Sequence, residues 1–70
     1  MSVEKSAASV GELIRQRREA LGWLQRELAK AASLPLRTVG RIERGQVDVR
    51  ISTLNKIARA LGISLKDLVP

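Results

Sequence analysis

The chain contains neither cysteine nor histidine among its 70 residues, and these two absences remove much of the chemistry that proteins use. Without cysteine there is no disulfide framework and no thiolate metal site. The commonest general base and the most nucleophilic side chain are both missing. Phosphate-binding glycine loops are absent too, and the acidic residues are scattered without a close pair typical of hydrolases. We therefore predict that the chain is not an enzyme, has no catalytic residue, metal or other cofactor, and takes no small-molecule substrate.

Aromatic residues and long apolar runs are also scarce. Phenylalanine and tyrosine are absent, and Trp23 is the single aromatic residue. The core of the one domain that this length allows must therefore consist of leucine, isoleucine, valine and alanine, which suit closely packed helices. No apolar run approaches the roughly 20 residues of a membrane span. The first nine residues lack the apolar centre of a signal peptide, so we expect a cytoplasmic protein without a membrane partner.

Positive charge is in excess. Lysine and arginine number 13 against seven aspartate and glutamate residues, which gives a net charge of +6. This excess on a small domain favours a polyanionic partner over an ordinary solvated surface. A membrane surface is a weaker candidate, because the positive charge is not gathered on one long amphipathic helix.

The most informative stretch runs from Leu24 to Gly45 and predicts two short helices joined by a tight break. Leu28, Ala29 and Ala32 share one face of the first helix. Pro35 ends this pattern, because proline lacks the backbone donor and disfavours helical geometry in the residue before it. A second helix can begin directly afterwards, since proline is tolerated in the first turn of a helix.

The second helix, residues 36–44, has two contrasting faces. At helical spacing its apolar side holds Thr38, Val39 and Ile42, and its other side holds Leu36, Arg37, Gly40, Arg41 and Arg44. A helix that is buried on one face and arginine-rich on the other is typical of one that reads the DNA major groove.

Elements before and after this stretch are predicted by the same signals. The predictions are a helix over residues 10–21 with Ser9 as N-cap and Gly22 as its left-handed stop, a helix over residues 53–61 with Ser52 as N-cap, and a last helical turn from Ser64 to Val69. Between residues 46 and 51, apolar residues alternate with polar ones. This pattern leaves open a short edge strand or a packed loop with its apolar side chains turned inward, and we favour the loop.

Taken together, these residues resemble Cro/CI-type (lambda-repressor-like, XRE-type) helix-turn-helix DNA-binding domains. The resemblance rests on Gln25, Leu28, Ala29, Ala32, Thr38, Val39, Ile42, Glu43 and Gly45, and continues through Ile14, Arg18 and Gly22 upstream and Thr53, Leu54, Ile57, Ala58, Leu61, Gly62 and Leu68 downstream. It implies an all-α, compact five-helix domain over residues 10–69, with the helix-turn-helix formed by its second and third helices. Residues 1–9 would then form a flexible N-terminal arm.

The resemblance also implies a structural ion pair. Helical spacing places both Arg17 and Arg18 near the apolar stripe of the first helix and does not choose between them. The family has its arginine four residues before the glycine, which selects Arg18, and its partner is the glutamate at the end of the reading helix, here Glu43.

The function that the resemblance implies is sequence-specific binding of double-stranded DNA by a repressor-like transcriptional regulator. Leu36, Arg37 and Arg41 would contact bases in the major groove, and Gln25 and Arg44 would contact phosphates. A domain of this size buries little DNA surface, so we expect a homodimer on two half-sites. Exposed apolar residues near Leu65, Leu68 and Val69 would form the dimer interface, or would equally pack on the first and fourth helices.

Four residues depart from the family pattern. Leu24 stands where a helix cap is usual, Ser33 where a glycine with positive φ is usual, Pro35 where a serine is usual, and Gly40 interrupts the exposed face of the reading helix. Two alternatives therefore stay open. One is a protein-interaction module or antitoxin-like subunit on the same fold, pairing through residues 47–51. The other is a variant that keeps the fold but has lost DNA binding.

Overall fold

The computed structural model of the chain describes residues 9–69, in which four α-helices and one 3₁₀-helix surround an aliphatic core. The elements are α1 (Val10–Ala20), α2 (Gln25–Ala32), α3 (Leu36–Glu43), α4 (Ile51–Leu61) and the 3₁₀-helix Leu65–Leu68. Of the predicted flexible arm, residues 1–8 lie outside the described residues. Within residues 9–69 no helix is long and apolar enough to cross a bilayer.

The all-α class is confirmed, but the predicted five α-helices are not. The last element is a single 3₁₀ turn, in which the backbone N–H of Asp67 donates to the carbonyl of Ser64 (3.0 Å). The Asp67 carboxylate accepts in return from the Ser64 N–H (3.2 Å). The segment is four residues long, and 3₁₀-helices of this length are common as short single turns.

Helix α1 begins at the predicted residue and is followed by the predicted glycine stop, but it ends one residue early. The Ser9 hydroxyl accepts a hydrogen bond from the Glu12 N–H (3.1 Å), which is the expected N-cap contact. Gly22 has φ +74°, the left-handed conformation expected of a stop after a helix. Leu21, the last residue of the predicted helix, is instead its C-cap and is exposed.

The break between α2 and α3 has the conformation that the sequence predicts. Ser33 has φ +57°, the left-handed conformation that the family pattern assigns to glycine here. The Leu34 N–H donates to the Ala29 carbonyl (2.8 Å), and Pro35 is the extended N-cap of α3. Leu24 gives α2 no side-chain cap, but the Glu27 carboxylate accepts from the Leu24 N–H (2.6 Å) and satisfies that donor. Helix α3 ends at Glu43, with Arg44 as C-cap, one residue before the predicted end.

Residues 46–50 form a loop, and α4 begins two residues earlier than predicted. Its N-cap is Arg50 rather than Ser52, because the Arg50 carbonyl already accepts from the Leu54 N–H (2.9 Å). No strand is present in the loop, and only Val49 packs against the core. Val47 and Ile51, which the loop interpretation turned inward, are exposed.

The core is built from residues that the helical patterns predicted. All four helices and the 3₁₀-helix contribute buried aliphatic side chains, which are Ile14, Leu28, Ala29, Ala32, Val39, Ile42, Leu54, Ile57, Ala58, Leu61 and Leu68. Leu68, one of the residues suggested for a dimer interface, is fully buried in this core. Of that suggested interface, Leu65 is half-buried and only Val69 is exposed.

Gly11 allows α1 to approach the end of α3 more closely than any larger residue would. A Cβ atom at this position would lie 3.0 Å from the Glu43 carbonyl oxygen and closer still to that of Ile42. Both obstacles are backbone atoms and cannot rotate away. The contact therefore fixes the distance between α1 and α3.

We predict that Gly11→Ala destabilises the domain. Separating α1 from α3 should lower the free energy of unfolding by about 1–3 kcal/mol, the range typical of overpacking, in spite of the ~1 kcal/mol by which alanine favours a helix over glycine. Urea unfolding measures the difference. The matched control is Gly40→Ala in α3, where the nearest atoms to the added Cβ belong to movable side chains. Equal stability of the Gly11→Ala protein and the parent would contradict the close approach.

Candidate nucleic-acid interface

Helix α3 presents an exposed basic face opposite its buried face. Val39 and Ile42 are buried in the core, whereas Arg37, Arg41 and Arg44 are exposed. Leu36, at the start of the helix, has 52% of its surface exposed, although it is a large apolar residue. The residues assigned to base contacts therefore all lie at the surface of one helix.

A buried ion pair attaches α3 to α1. Arg18 Nε donates to Glu43 Oε2 (2.7 Å), and Arg18 Nη2 donates to Glu43 Oε1 (3.0 Å). The third guanidinium nitrogen, Nη1, donates to the Trp23 carbonyl (2.7 Å) just after α1. Only 10% of the Arg18 side chain and 2% of the Glu43 side chain are exposed. Arg17, the other arginine that helical spacing allowed, is exposed to solvent.

The environment of Arg18 favours its charged form. Its pKa is raised above the usual value, first by the hydrogen bond to Glu43 and then by the charges of Glu43 and Glu19, while burial acts in the opposite direction. A group with a raised pKa loses its contribution to stability only as the pH rises through the folded-state pKa. Loss of charge from Arg18 therefore does not weaken the pair at neutral or acidic pH.

Gln25 joins the same carboxylate from α2. Its side-chain Nε2 donates to Glu43 Oε1 (3.0 Å), so that Glu43 accepts three hydrogen bonds from two other elements. Sequence reasoning assigned Gln25 to phosphate and missed this second role. Both residues belong to the family pattern, but only the packing of α2 on α3 brings them together. One hydrogen of the Gln25 amide group stays available for another acceptor.

Gly40 lies beneath side chains rather than on the exposed face of α3 where the sequence placed it. A Cβ atom at Gly40 would lie 3.2 Å from Arg44 Nη1, 3.6 Å from Gln25 Oε1 and 3.7 Å from Arg44 Nη2. The residue is consequently buried. The helical pattern was misleading because Arg44 folds back by one turn and covers the missing side chain.

Comparison with protein-family models places the chain in a known family. The helix-turn-helix family profile matches residues 14–68, from within α1 to the last residue of the 3₁₀-helix. A comparison with curated proteins finds no match.

Several solved structures share the fold over most of the chain. A hypothetical transcription factor, NHTF from Neisseria, has a TM-score of 0.84 at 31% identity, covering 87% of this chain and 70% of its own. The restriction-modification controller protein C.AhdI from Aeromonas hydrophila has a TM-score of 0.83 at 37% identity, with 84% and 89% covered. The clp gene regulator ClgR from C. glutamicum has a TM-score of 0.80 at 32% identity, with 84% and 77% covered.

We predict that Arg18 and Glu43 are energetically coupled. Removing one partner leaves the other charge buried without its counterion, which typically costs about 3–5 kcal/mol. Arg18→Met and Glu43→Gln should each lower the free energy of unfolding, and the double variant should cost clearly less than the sum. Chemical unfolding of the four proteins gives the coupling energy.

The matched control is the exposed pair of Arg15 and Glu12, which lie 3.5 Å apart on α1. Its cycle should give a coupling below about 0.5 kcal/mol, because solvent screens exposed pairs. Additive effects at Arg18 and Glu43 would show that the buried pair does not stabilise the domain.

Proposed function

The chain belongs to the Cro/CI-type helix-turn-helix family of DNA-binding transcription regulators, and from this we propose that it binds specific duplex DNA sequences with α3 in the major groove. In this proposal it acts as a repressor-like regulator. The single observation that carries the proposal is the construction of α3, whose inner face is fixed in the core while its outer face carries exposed arginines.

Arg37 and Arg41 are the residues that we assign to base recognition. They lie four residues apart and therefore on one side of α3. The arginine guanidinium group can donate two parallel hydrogen bonds to the O6 and N7 atoms of guanine. Two such residues, one helical turn apart, would read guanines at neighbouring positions of one half-site. Leu36 offers an apolar contact that suits the methyl group of thymine.

Gln25 and Arg44 are assigned to the DNA backbone. Gln25 is the first residue of α2 and Arg44 is the C-cap of α3, but the side chains of both lie against Gly40. Phosphate contacts of this kind set the position of a domain on DNA without reading its sequence. Arg44 would also contribute to the salt dependence of binding, because its positive charge releases a counterion from DNA.

A homodimer on two half-sites is part of the proposal. A domain of this size covers few base pairs, and dimeric helix-turn-helix proteins place their reading helices about 34 Å apart, one turn of DNA. Because Leu68 lies in the core, the C-terminal segment offers Val69 and half-buried Leu65 as apolar surface for such contacts.

A protein-interaction module is the second candidate function. Its support is the exposure of two apolar side chains at the loop between α3 and α4, Val47 and Ile51. The two functions differ in their response to random-sequence duplex DNA. A DNA-binding regulator should bind it weakly and release it as salt rises, whereas a pure interaction module should not bind it.

We predict that the arginines of α3 separate by phenotype. Using an operator selected from a random duplex pool, Arg37→Ala and Arg41→Ala should each weaken binding by about 1–3 kcal/mol and relax the preference at one base pair per half-site. Arg44→Ala should weaken binding to all sequences alike and reduce the salt slope by about 1. Gln25→Ala should also act on all sequences, but without changing the salt slope, since it carries no charge.

Arg59→Ala provides the matched control. It removes the same charge from an exposed position on α4, away from the arginine-bearing face of α3, and should leave sequence preference unchanged. If Arg37→Ala and Arg41→Ala bind the selected operator with parental affinity and selectivity, the assignment of the reading face is wrong. If the parent itself binds no duplex DNA at low salt, the proposed function is wrong.

A further inference from the structure

Gly40 leaves a space on α3 that two polar side chains fill. Around the point where its Cβ would stand, both terminal nitrogens of Arg44 and the amide oxygen of Gln25 lie within 3.7 Å. Arg44 reaches this space from one turn further along the helix, and its own backbone N–H donates to the Gly40 carbonyl (3.1 Å). Gln25 reaches it from the first residue of α2.

Hydrogen bonds lead from the buried ion pair to this space. Arg18 binds Glu43, and Glu43 accepts a hydrogen bond from Nε2 of Gln25. The other end of the same amide group, Oε1, lies 3.6 Å from the point where a Gly40 Cβ would stand, and Arg44 Nη1 lies 3.2 Å from that point. The partial negative charge of an amide oxygen favours a guanidinium group near it. Gln25 is therefore bonded to the buried ion pair on one side and lies, like Arg44, against Gly40 on the other.

We propose that Gly40 is a positioning residue for DNA binding, because its missing side chain holds the Arg44 guanidinium against α3 beside Gln25. This inference rests on the proposed function. A flexible arginine loses side-chain entropy when it contacts a phosphate, and a guanidinium already held in place loses less. Gly40 therefore increases affinity for the DNA backbone without contacting DNA and without changing the sequence that is read.

The proposal explains a residue that is unfavourable for the helix alone. Glycine inside a helix is less stable than alanine because it loses more backbone entropy on folding. The obstacle to alanine at Gly40 is 3.2 Å away and is the far end of a flexible side chain, so the backbone can accommodate the change. Alanine at this position should thus raise the stability of the domain and lower its affinity for DNA. A purely structural role for Gly40 would not produce this combination.

The experiment combines Gly40→Ala and Arg44→Ala in a double-mutant cycle, with binding to a random-sequence duplex as the readout. Gly40→Ala should raise the melting temperature by a few degrees and weaken binding by about threefold to tenfold, the size of one typical hydrogen bond. In the Arg44→Ala background, Gly40→Ala should still raise the melting temperature but cause no further loss of binding. Sequence preference should be the same in all four proteins.

Three results would overturn the inference. Unchanged binding by Gly40→Ala would mean that the space at Gly40 does not affect DNA binding. Tighter binding would mean that this space holds Arg44 away from the DNA. An equal loss of binding with and without Arg44 would mean that Gly40 acts through the backbone of α3. If the parent does not bind duplex DNA, the proposed function fails, and this role of Gly40 fails with it.

A measurement without DNA tests the placement of Arg44 separately. In NMR spectra of the free parent, the Arg44 side chain should show nuclear Overhauser contacts to the Gly40 α-protons, and these contacts should disappear in Gly40→Ala. Arg41, which is exposed on the same helix, is the internal control. Absence of the contacts in a parent that binds DNA would refute the positioning role while leaving the proposed function intact.

Discussion

The carboxylate of Glu43 is the point at which three helices, α1, α2 and α3, are joined by polar contacts. It accepts two hydrogen bonds from Arg18 of α1 and one from Gln25 of α2, and it lies at the last residue of α3. The chain has no cysteine for a disulfide or thiolate metal site, and its core is formed by small and medium-sized aliphatic side chains. Aliphatic packing accepts several arrangements of similar volume, whereas a buried carboxylate needs its partners in defined positions. The ion pair therefore fixes the orientation of α3.

The same arrangement connects the stability of the domain with the exposed basic face of α3. The inner face of α3 is fixed by Val39 and Ile42 in the core and by Glu43 at its end, which leaves the outer face free to carry Arg37 and Arg41 at the surface. Gln25 donates a hydrogen bond to Glu43 and, like Arg44, lies against Gly40. In the function that we propose, the contacts that hold the reading helix also position groups that would contact phosphates.

Much of the fold could be predicted because its signals are local. The break at Pro35, the left-handed conformation at Ser33 and the glycine stop at Gly22 each depend on a few adjacent residues. Predictions were wrong, or were not made, where the structure depends on contacts that a helical pattern does not show. Gly40 was placed on the exposed face because a helical pattern does not show that Arg44 folds back over it. The contact of Gly11 with the end of α3 joins residues more than thirty positions apart, and nothing near Gly11 indicates it. Ser52 failed as a cap because Arg50 already had the extended backbone that begins α4.

A titration of the ¹⁵N-labelled chain with a selected operator duplex, followed by NMR, would show which helix contacts the DNA. We expect the backbone shifts to concentrate in α3 and at the start of α2. The side-chain Nε–Hε signals of Arg37, Arg41 and Arg44 should move while that of Arg18 stays in place, because Arg18 remains bound to Glu43 inside the domain. Shifts centred on Val47 and Ile51, with α3 unaffected, would contradict the claim that α3 is the DNA-reading element.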